Sequence, residues 1–258
     1  MFAYLPDLEE YRTKNAQPDS TKRLQLDTLI EFLKVQYAST SEKLRALITH
    51  GEITFDLLPV FFRPNSIVYT HCATSEQPRC LRFDSGQMKT LSTGRVFQLT
   101  CRFFTNDGKT SGIASATTQV LEFEGVMKIT SLGVYPLEHH ATKDKIVREL
   151  IERGRKFIGL SGTHCRAYKG MAFYRVKGEV KKFPVDGRVM VDAVLFREMN
   201  PDYSFPAVME RPPYMDPIDV DHSFCPSTHI GSTLPDFEKG PSQSDGEITK
   251  PINGEPSS

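Results

Sequence analysis

The sequence predicts an α+β domain in which a largely antiparallel β-sheet is packed by an N-terminal helical hairpin and one amphipathic helix. Three observations indicate this class. Apolar residues recur at helical spacing between residues 22 and 50, alternate with polar residues between 66 and 136, and return to helical spacing after residue 142. Helices that flank a run of strands in this way are typical of α+β domains.

The chain of 258 residues divides into a flexible leader (1–21), a single α+β domain (22–205) and an acidic, proline-rich tail or linker (206–258). A formal net charge of zero hides this division. The tail contains nine Asp and Glu against three Lys and Arg, and nine of the 17 prolines, so the residues before it carry a net charge of +6. A segment with few apolar residues, many prolines and excess negative charge is expected to be disordered.

Two helices are predicted over 22–50, at the start of the domain. Ser39 and Glu42 have the spacing of a capping box at the beginning of the second helix, and Gly51 is placed to end it. The first helix carries its apolar residues on one face, formed by Leu26, Leu29, Ile30, Leu33 and Tyr37.

The apolar segment 54–62 is expected to dock in the core. Thr54 can cap a short helical turn, but Pro59 lacks a backbone donor and clashes with the preceding carbonyl beyond the first turn of a helix. Two forms stay open for this segment, a short turn and a kinked helix.

Strands are predicted next. Alternation over 97–103 predicts a half-buried strand, and Asp107-Gly108 predicts a hairpin turn to a return strand over 110–124. Because 188–196 is almost entirely apolar, we expect it to be a central strand covered on both faces. The other predicted strands span 67–72, 79–83, 126–135 and 167–176.

The clearest helix is predicted to begin after Thr142. Its apolar residues form one stripe and its charged residues lie outside that stripe, as on a helix packed against a sheet. Gly154 lies within the stripe, where we expect it to let the helix approach the sheet closely. The stripe consists of Ile146, Val147, Leu150, Ile151, Gly154, Phe157 and Ile158.

No catalytic, cofactor-binding or metal-binding residue is predicted, and no cofactor. Gly108-Lys109-Thr110 ends like a phosphate-binding P-loop, but Phe103 stands where the first glycine of that loop is needed. The segment also reads as a hairpin turn and does not open a helix, so nucleotide binding is not expected there.

None of the histidine segments is predicted to be a catalytic site. His139-His140 is more typical of a solvated loop pair than of a catalytic site, because no nucleophile or acid stands in a recognisable relation to it. His164-Cys165 does not form a catalytic arrangement by proximity in the sequence alone.

The five cysteines are odd in number and widely scattered, which indicates reduced thiols. His222, Cys225 and His229 in the tail are chemically suited to zinc, but a closed structural site takes four ligands, so metal binding by these three stays open. The sequence contains neither a signal peptide nor an apolar run long enough to span a bilayer. We therefore expect an intracellular protein, cytoplasmic or nuclear, with no membrane partner.

Basic residues cluster on the predicted helix after Thr142 and again in the strand region beyond it. Nucleic acid is the less favoured partner, because a charge of +6 is small for about 200 residues and Glu149 and Glu152 interrupt the helix cluster. The clusters contain Arg148, Arg153, Arg155 and Lys156, and Lys177, Lys181 and Lys182.

Six segments carry a family resemblance when they are taken together. They are LIEFLK (29–34), GEITFDLL (51–58), FEG (123–125), LGVYPL (132–137), IERGRKF (151–157) and GRVMVD (187–192). Their order and spacing resemble the N-terminal domain of unknown function found in mainly fungal AAA+ ATPase family proteins. The resemblance covers roughly 22–220, and RPPYMDP (211–217) resembles the start of the linker to the ATPase module.

The resemblance implies a non-catalytic module, by analogy a protein-interaction domain that recruits substrate or adaptor to an AAA+ ring. The sequence shows no Walker A, Walker B or arginine finger, so we expect no enzyme activity from it. A protein partner is expected, whose contact surface could be the apolar 55–62 segment or the basic helix face, and the oligomeric state is left open. The alternatives are a truncated part of an ATP-hydrolysing AAA+ protein, weak nucleic-acid binding, and a cryptic enzyme built around His139, His140, His164 and Asp192.

Overall fold

The computed structural model describes residues 4–14, 20–92, 94–176, 179–203 and 206–209. These residues belong to one compact unit, Met1–Pro212, and their architecture is α+β, as predicted. The helices are α1 (Leu5–Lys14), α2 (Ser20–Gln36), α3 (Ala38–Thr49), α4 (Leu58–Phe61), α5 (Lys143–Ile158) and α6 (Ala193–Met199). The strands are β1 (Glu52–Thr54), β2 (Ile67–His71), β3 (Pro78–Leu91), β4 (Gly94–Asn106), β5 (Ser111–Leu121), β6 (Val126–Lys128), β7 (Val134–Pro136), β8 (His164–Val176) and β9 (Glu179–Val191).

The main sheet has five antiparallel strands in the order β5-β4-β3-β2-β7. Strands β1 and β6 form a separate two-stranded sheet, and β8 and β9 form another. Alternation over 97–103 therefore predicts β4 correctly, and the strands expected over 67–72 and 79–83 are confirmed as β2 and the first part of β3.

The turn between β4 and β5 confirms the predicted hairpin. The Asp107 carboxylate accepts hydrogen bonds from the backbone N–H groups of Lys109 (2.9 Å) and Thr110 (2.7 Å). Gly108 has a positive φ of 94°, and a Cβ atom there would lie 2.8 Å from Val194 in α6. The glycine therefore serves turn geometry and the close approach of α6.

The core lies between α4 and the face of the main sheet that we call the α4 face. The Phe62 ring packs against the rings of Phe83 and Phe97, with centroids 5.5 and 5.6 Å apart. A 3-10 turn at Phe55–Leu57 leads into α4, which places Pro59 in the first helical turn, where its missing donor costs nothing. The predicted docking of this segment in the core is confirmed, and the helix is short, with the proline as its second residue and no kink.

The two helices predicted over 22–50 are present as α2 and α3, and Gly51 ends α3 with a positive φ of 69°. The capping-box prediction was wrong, because Ser39 lies inside α3. Only Tyr37 separates the two helices, and its N–H donates to Leu33 while its carbonyl accepts from Ser41. The backbone therefore stays nearly helical through the junction, and no side chain caps α3.

The segment predicted as a flexible leader contains α1, which packs against α2. Ion pairs join the two helices at Arg12–Asp27 (3.5 Å) and Lys34–Glu9. None of the residues of α1 is fully buried, so the helix needs no apolar stripe. The sequence therefore gives no periodic signal for α1. Exposed ion pairs of this kind contribute little stability each.

Two predicted strands have different bounds. The strand expected over 126–135 is interrupted by a 3-10 turn at Ile129–Ser131, because the Ile129 N–H donates to the Gly51 carbonyl (2.8 Å) and turns the chain towards α3. The strand expected over 110–124 ends at Leu121, as β5.

The prediction of a central strand over 188–196 was wrong. Strand β9 ends at Val191, and Asp192 caps α6 by accepting a hydrogen bond from the Leu195 N–H (2.8 Å). The apolar end of β9 lies in the two-stranded sheet, where Met190 is 64% exposed. A polar residue with N-cap chemistry thus ends the strand in the middle of the apolar run.

Helix α5 confirms the predicted amphipathic helix, with Ile146 buried and Val147 and Leu150 packed against the core. Thr142 stands at its N-cap, although its side chain makes no capping hydrogen bond. The role expected for Gly154 was wrong, because a Cβ atom there would meet nothing within 4 Å.

The predicted tail begins with residues that pair with the domain. The Met209 N–H donates to the Ile113 carbonyl of β5 (2.8 Å), and Val208 packs where a Gly112 Cβ atom would stand. Residues 210–258, for which disorder was predicted, lie outside the described residues. His222, Cys225 and His229 are among them.

Candidate functional site

Strands β8 and β9 form an isolated two-stranded ribbon, which we call the ribbon. Thirteen residues of each strand pair in continuous antiparallel register, from His164 opposite Val191 to Val176 opposite Glu179. Neither strand pairs with any other strand of the described residues, and no other described element packs extensively against them. Both outer edges of the ribbon therefore present backbone groups that no strand of the described residues satisfies.

Exposed apolar side chains lie on both faces of the ribbon. The register places Tyr168, Tyr174 and Phe183 on one face, where they are between 41 and 43% exposed. The Tyr174 and Phe183 rings meet edge to face, with centroids 5.6 Å apart. Met171 and Met190 are exposed on the other face. Tyr, Phe and Met are side chains enriched where proteins contact one another.

Positive charge is concentrated in the ribbon. Residues 164–191 contain seven Lys and Arg against two Asp and Glu, whereas the remainder of residues 1–205 contains 22 against 21. Nearly the whole +6 of the region before the tail thus belongs to one hairpin, which corrects the expectation of a thinly spread charge. Ion pairs occupy Lys169, Lys181 and Lys182, with Asp186, Glu179 and Glu76 as partners.

The base of the ribbon holds two residues of the cryptic-enzyme hypothesis. The Asp192 carboxylate accepts one hydrogen bond from the Thr163 hydroxyl and another from the Leu195 N–H. Together these two bonds lower the pKa of the Asp192 carboxyl. His164 Nε2 lies 2.9 Å from the Ser161 carbonyl oxygen. Cys165 is exposed on the face opposite His164. These contacts hold the start of the ribbon and the start of α6.

His139 and His140 are not a solvated pair, which corrects that prediction. The His139 ring packs on Phe61 (centroids 5.3 Å apart), and burial lowers its pKa, opposed by the charge of Glu138. The His140 ring packs 4.6 Å from that of Tyr69, and its Nδ1 accepts a hydrogen bond from the Thr142 N–H (3.1 Å). Both imidazoles therefore extend the aromatic packing at the end of β7.

The four residues of the enzyme hypothesis lie in these two places. Within the described part of the chain, no hydrogen bond or ion pair joins His139 or His140 to His164 or Asp192. A cleft of about 700 Å³ lies between α1 and α2, and none of the four lines it. The expectation that the chain is not an enzyme stays a prediction.

Cys72 is a chemically distinctive residue that sequence reasoning missed. Burial raises the pKa of its thiol, but hydrogen bonds from Ser75 and Thr74 and the charge of Arg79 bring it down to about 7. Burial instead raises the pKa of Cys80 to about 11 and that of Cys101 to about 12. The difference arises in the β2–β3 turn, where the chain folds back so that the Cys72 carbonyl accepts from the Glu76 N–H (2.8 Å). A cysteine followed closely by Thr, Ser and Arg was the available signal.

The two contact surfaces named from the sequence differ in accessibility. The 55–62 segment is mainly core, with Phe55, Leu58, Phe61 and Phe62 buried, so it is not a free surface and that hypothesis was wrong. The basic face of α5 is exposed but mixed in charge, with ion pairs at Lys145–Glu149 and Lys156–Glu152.

Two negative findings concern the described residues alone. They contain no group of three or more His, Cys, Asp and Glu placed to hold a metal ion. None of their helices is both long and apolar enough to cross a membrane.

The fold and these surfaces define an α+β domain with a five-stranded antiparallel sheet and an exposed basic ribbon. Residues 43–141 match a family described as a domain of unknown function (DUF7025), and the match covers less than half of the chain. It runs from α3 to the 3-10 turn after β7, so it includes the main sheet and stops before α5 and the ribbon. No curated protein and no solved structure matches the chain. The description of the matched family gives no function and mentions no ATPase.

Proposed function

We propose that this chain is a non-catalytic protein-interaction module that binds an acidic protein segment through the ribbon. The observation that carries the proposal is the coincidence, in one hairpin, of exposed aromatic side chains and nearly all the excess positive charge. Exposed apolar surface of this kind marks contact sites, and charge of one sign steers partners of the other sign towards them.

The geometry of the ribbon favours a partner with an extended backbone. An isolated two-stranded hairpin is only marginally stable in water, so a ribbon this long gains stability when a further strand pairs with it. Strand addition gives main-chain hydrogen bonds along a free edge and leaves alternate side chains to contact the face. Acidic side chains of an added strand would meet Arg166 on the face of Tyr168 or Arg188 on the opposite face, according to the edge and the register at which the strand pairs. Neither arginine forms an ion pair with a described carboxylate.

The resemblance to the N-terminal domain of mainly fungal AAA+ ATPases supports a recruiting role. In that arrangement the domain holds substrate or adaptor and a separate ATPase module supplies the work. The ribbon would be the recruiting surface, because the alternative 55–62 segment is buried.

A direct test uses a short fluorescent peptide of alternating Glu and Val and measures its fluorescence anisotropy with the chain. The Arg166→Glu/Arg188→Glu variant should bind it about tenfold more weakly or worse, since opposite charges become like charges at the contact. The matched control, Lys143→Glu/Arg148→Glu on α5, makes the same change in net charge and should bind within about twofold of the parent chain. An equal loss in both variants, or no binding to the parent, would contradict the proposal.

Nucleic acid is the second candidate, because a basic two-stranded ribbon can enter the major groove of DNA. A duplex oligonucleotide is therefore titrated beside the peptide. Binding of the duplex alone, lost steeply with salt and with the Arg166→Glu/Arg188→Glu variant, would favour nucleic acid over a protein partner.

A further inference from the structure

Two arginines lie side by side on the main sheet, on the face away from α4. Arg82 of β3 stands directly opposite Arg102 of β4 in the strand register. Residues paired in this way have Cβ atoms about 4.5–5.5 Å apart, so the two guanidinium groups occupy one patch of the surface. Arg82 is half-buried and the Arg102 side chain is only 11% exposed, and like charges in this position repel.

A β-bulge adds one carboxylate to the patch. The register shifts between Phe83 and Ser85, which makes Asp84 the extra residue of β3. Asp84 Oδ1 forms an ion pair with Arg102, 2.9 Å from its Nε atom, and Arg102 Nη2 donates a hydrogen bond to Asn65 Oδ1 (2.6 Å). Bulges commonly re-aim a side chain in this way. The carboxylate is thereby directed to Arg102.

Arg82 is left without such a partner. It forms no hydrogen bond or ion pair with any described residue, although it is half-buried. Burial first, and then the charge of Arg102, lower the pKa of Arg82, while Asp84 opposes them. Arg82 therefore brings to the patch a positive charge that no described carboxylate contacts.

We propose that Arg82 and Arg102 form a binding site for an oxyanion, a phosphate or carboxylate group, on the face of the main sheet away from α4. The planar guanidinium fork matches the paired oxygens of either group and forms charge-assisted hydrogen bonds with them. A bound oxyanion would give Arg82 a charged partner and offset the repulsion across the strand pair. This site lies in the main sheet and does not depend on the function of the ribbon.

The test measures thermal unfolding of the chain in phosphate, sulfate or acetate against chloride at constant ionic strength. An anion that binds only the folded state raises the melting temperature along a saturating curve. Arg82→Gln should abolish this rise, and Arg82→Lys should retain only part of it, since the charge stays but the fork is lost. Lys89→Gln, an exposed position on the same strand, is the control and should respond as the parent does.

Inorganic phosphate and O-phosphoserine are titrated separately. The ligand that binds at the lower concentration shows whether the site prefers a free anion or a phosphate carried on a side chain. Nitrogen-15 NMR of the arginine Nε–H groups gives a readout that needs no variant, because Arg82 and Arg102 signals should shift with the anion. A purely structural role for Arg82 predicts a lower melting temperature for Arg82→Gln in chloride and an unchanged response to phosphate. That result, or a non-saturating response in parent and variant alike, would overturn the proposal. The Arg166→Glu/Arg188→Glu variant should keep the response whether or not the ribbon binds a peptide.

Discussion

Gly86 in β3 is a position where alanine should destabilise the domain. The φ of Gly86 lies outside the left-handed region, so the backbone suits an L-residue, and a compatible Gly→Ala change normally stabilises by about 0.4–1 kcal/mol. Here the added Cβ atom would lie 2.3 Å from Cζ and 2.8 Å from Cε2 of Phe97. Carbon atoms in contact prefer about 3.5–4.0 Å, so the overlap exceeds 1 Å.

The Phe97 ring has no room to move away. It is fully buried and stacks on Phe62 with ring centroids 5.6 Å apart. Overpacking of this type costs about 1–3 kcal/mol. Set against the gain from reduced chain entropy, a net loss of roughly 1–2 kcal/mol is expected for Gly86→Ala.

Urea unfolding followed by far-ultraviolet circular dichroism measures the loss. With a slope of about 2 kcal/mol per molar urea, the midpoint should fall by roughly 0.5–1 M. Gly133→Ala is the matched control, because a Cβ atom at Gly133 meets nothing within 4 Å, and its midpoint should stay or rise. Phe97→Leu removes the clashing ring atoms, so the Gly86→Ala/Phe97→Leu pair should cost less than the sum of its parts. A midpoint for Gly86→Ala at or above that of the parent, or strict additivity of the pair, would refute the steric explanation.

Three further predictions concern single residues. Gly154→Ala in α5 should raise the stability by about 0.5–1 kcal/mol in the same assay, because the added methyl group is unobstructed and alanine favours the helix; a loss would show a contact that the spacing excludes. Cys72 should be alkylated by iodoacetamide with a pH midpoint near 7, well before Cys80 and Cys101 in the native state, and Arg79→Gln should raise that midpoint, as mass spectrometry of the labelled peptides would show; equal labelling of the three would contradict this. Burial lowers the pKa of His139 in the folded state, so the unfolded chain binds the proton more readily, and stability that is present above about pH 6.5 is lost as the pH falls. His139→Gln should therefore reduce the drop in urea midpoint between about pH 7.5 and pH 5.5. An unchanged drop would exclude His139 as the source of this pH dependence.

Periodicity predicted the elements whose burial follows one face. The stripes of α2 and α5 and the alternation in β4 are local patterns, and burial on one side of each element reproduces them. Sequence patterning failed at 188–196, where a continuous apolar run was interpreted as a strand buried on both faces. Asp192 could have marked the end of the strand, but a strand and a helix cap joined in one apolar run have no period of their own.

The candidate sites were less predictable because they depend on pairing. The ribbon charge is visible in the sequence once residues 164–191 are counted as one hairpin, but the hairpin partner of β8 was not identified there. Arg82 and Arg102 become neighbours only through the register of β3 and β4, and Asp84 joins them only through a bulge. Nineteen residues lie between the two arginines in the chain, and no local sequence pattern predicts that they become neighbours.

The isolation of the ribbon has a consequence for local unfolding of the domain. A hairpin that shares few contacts with the main sheet can open without the rest of the structure, so its amide hydrogens should exchange with solvent faster than those of β3 and β4. Partner binding would then close a local folding unit as well as cover a surface. Part of the binding free energy would be spent on ordering β8 and β9, which lowers the affinity but leaves the core of the domain unaffected when the partner leaves.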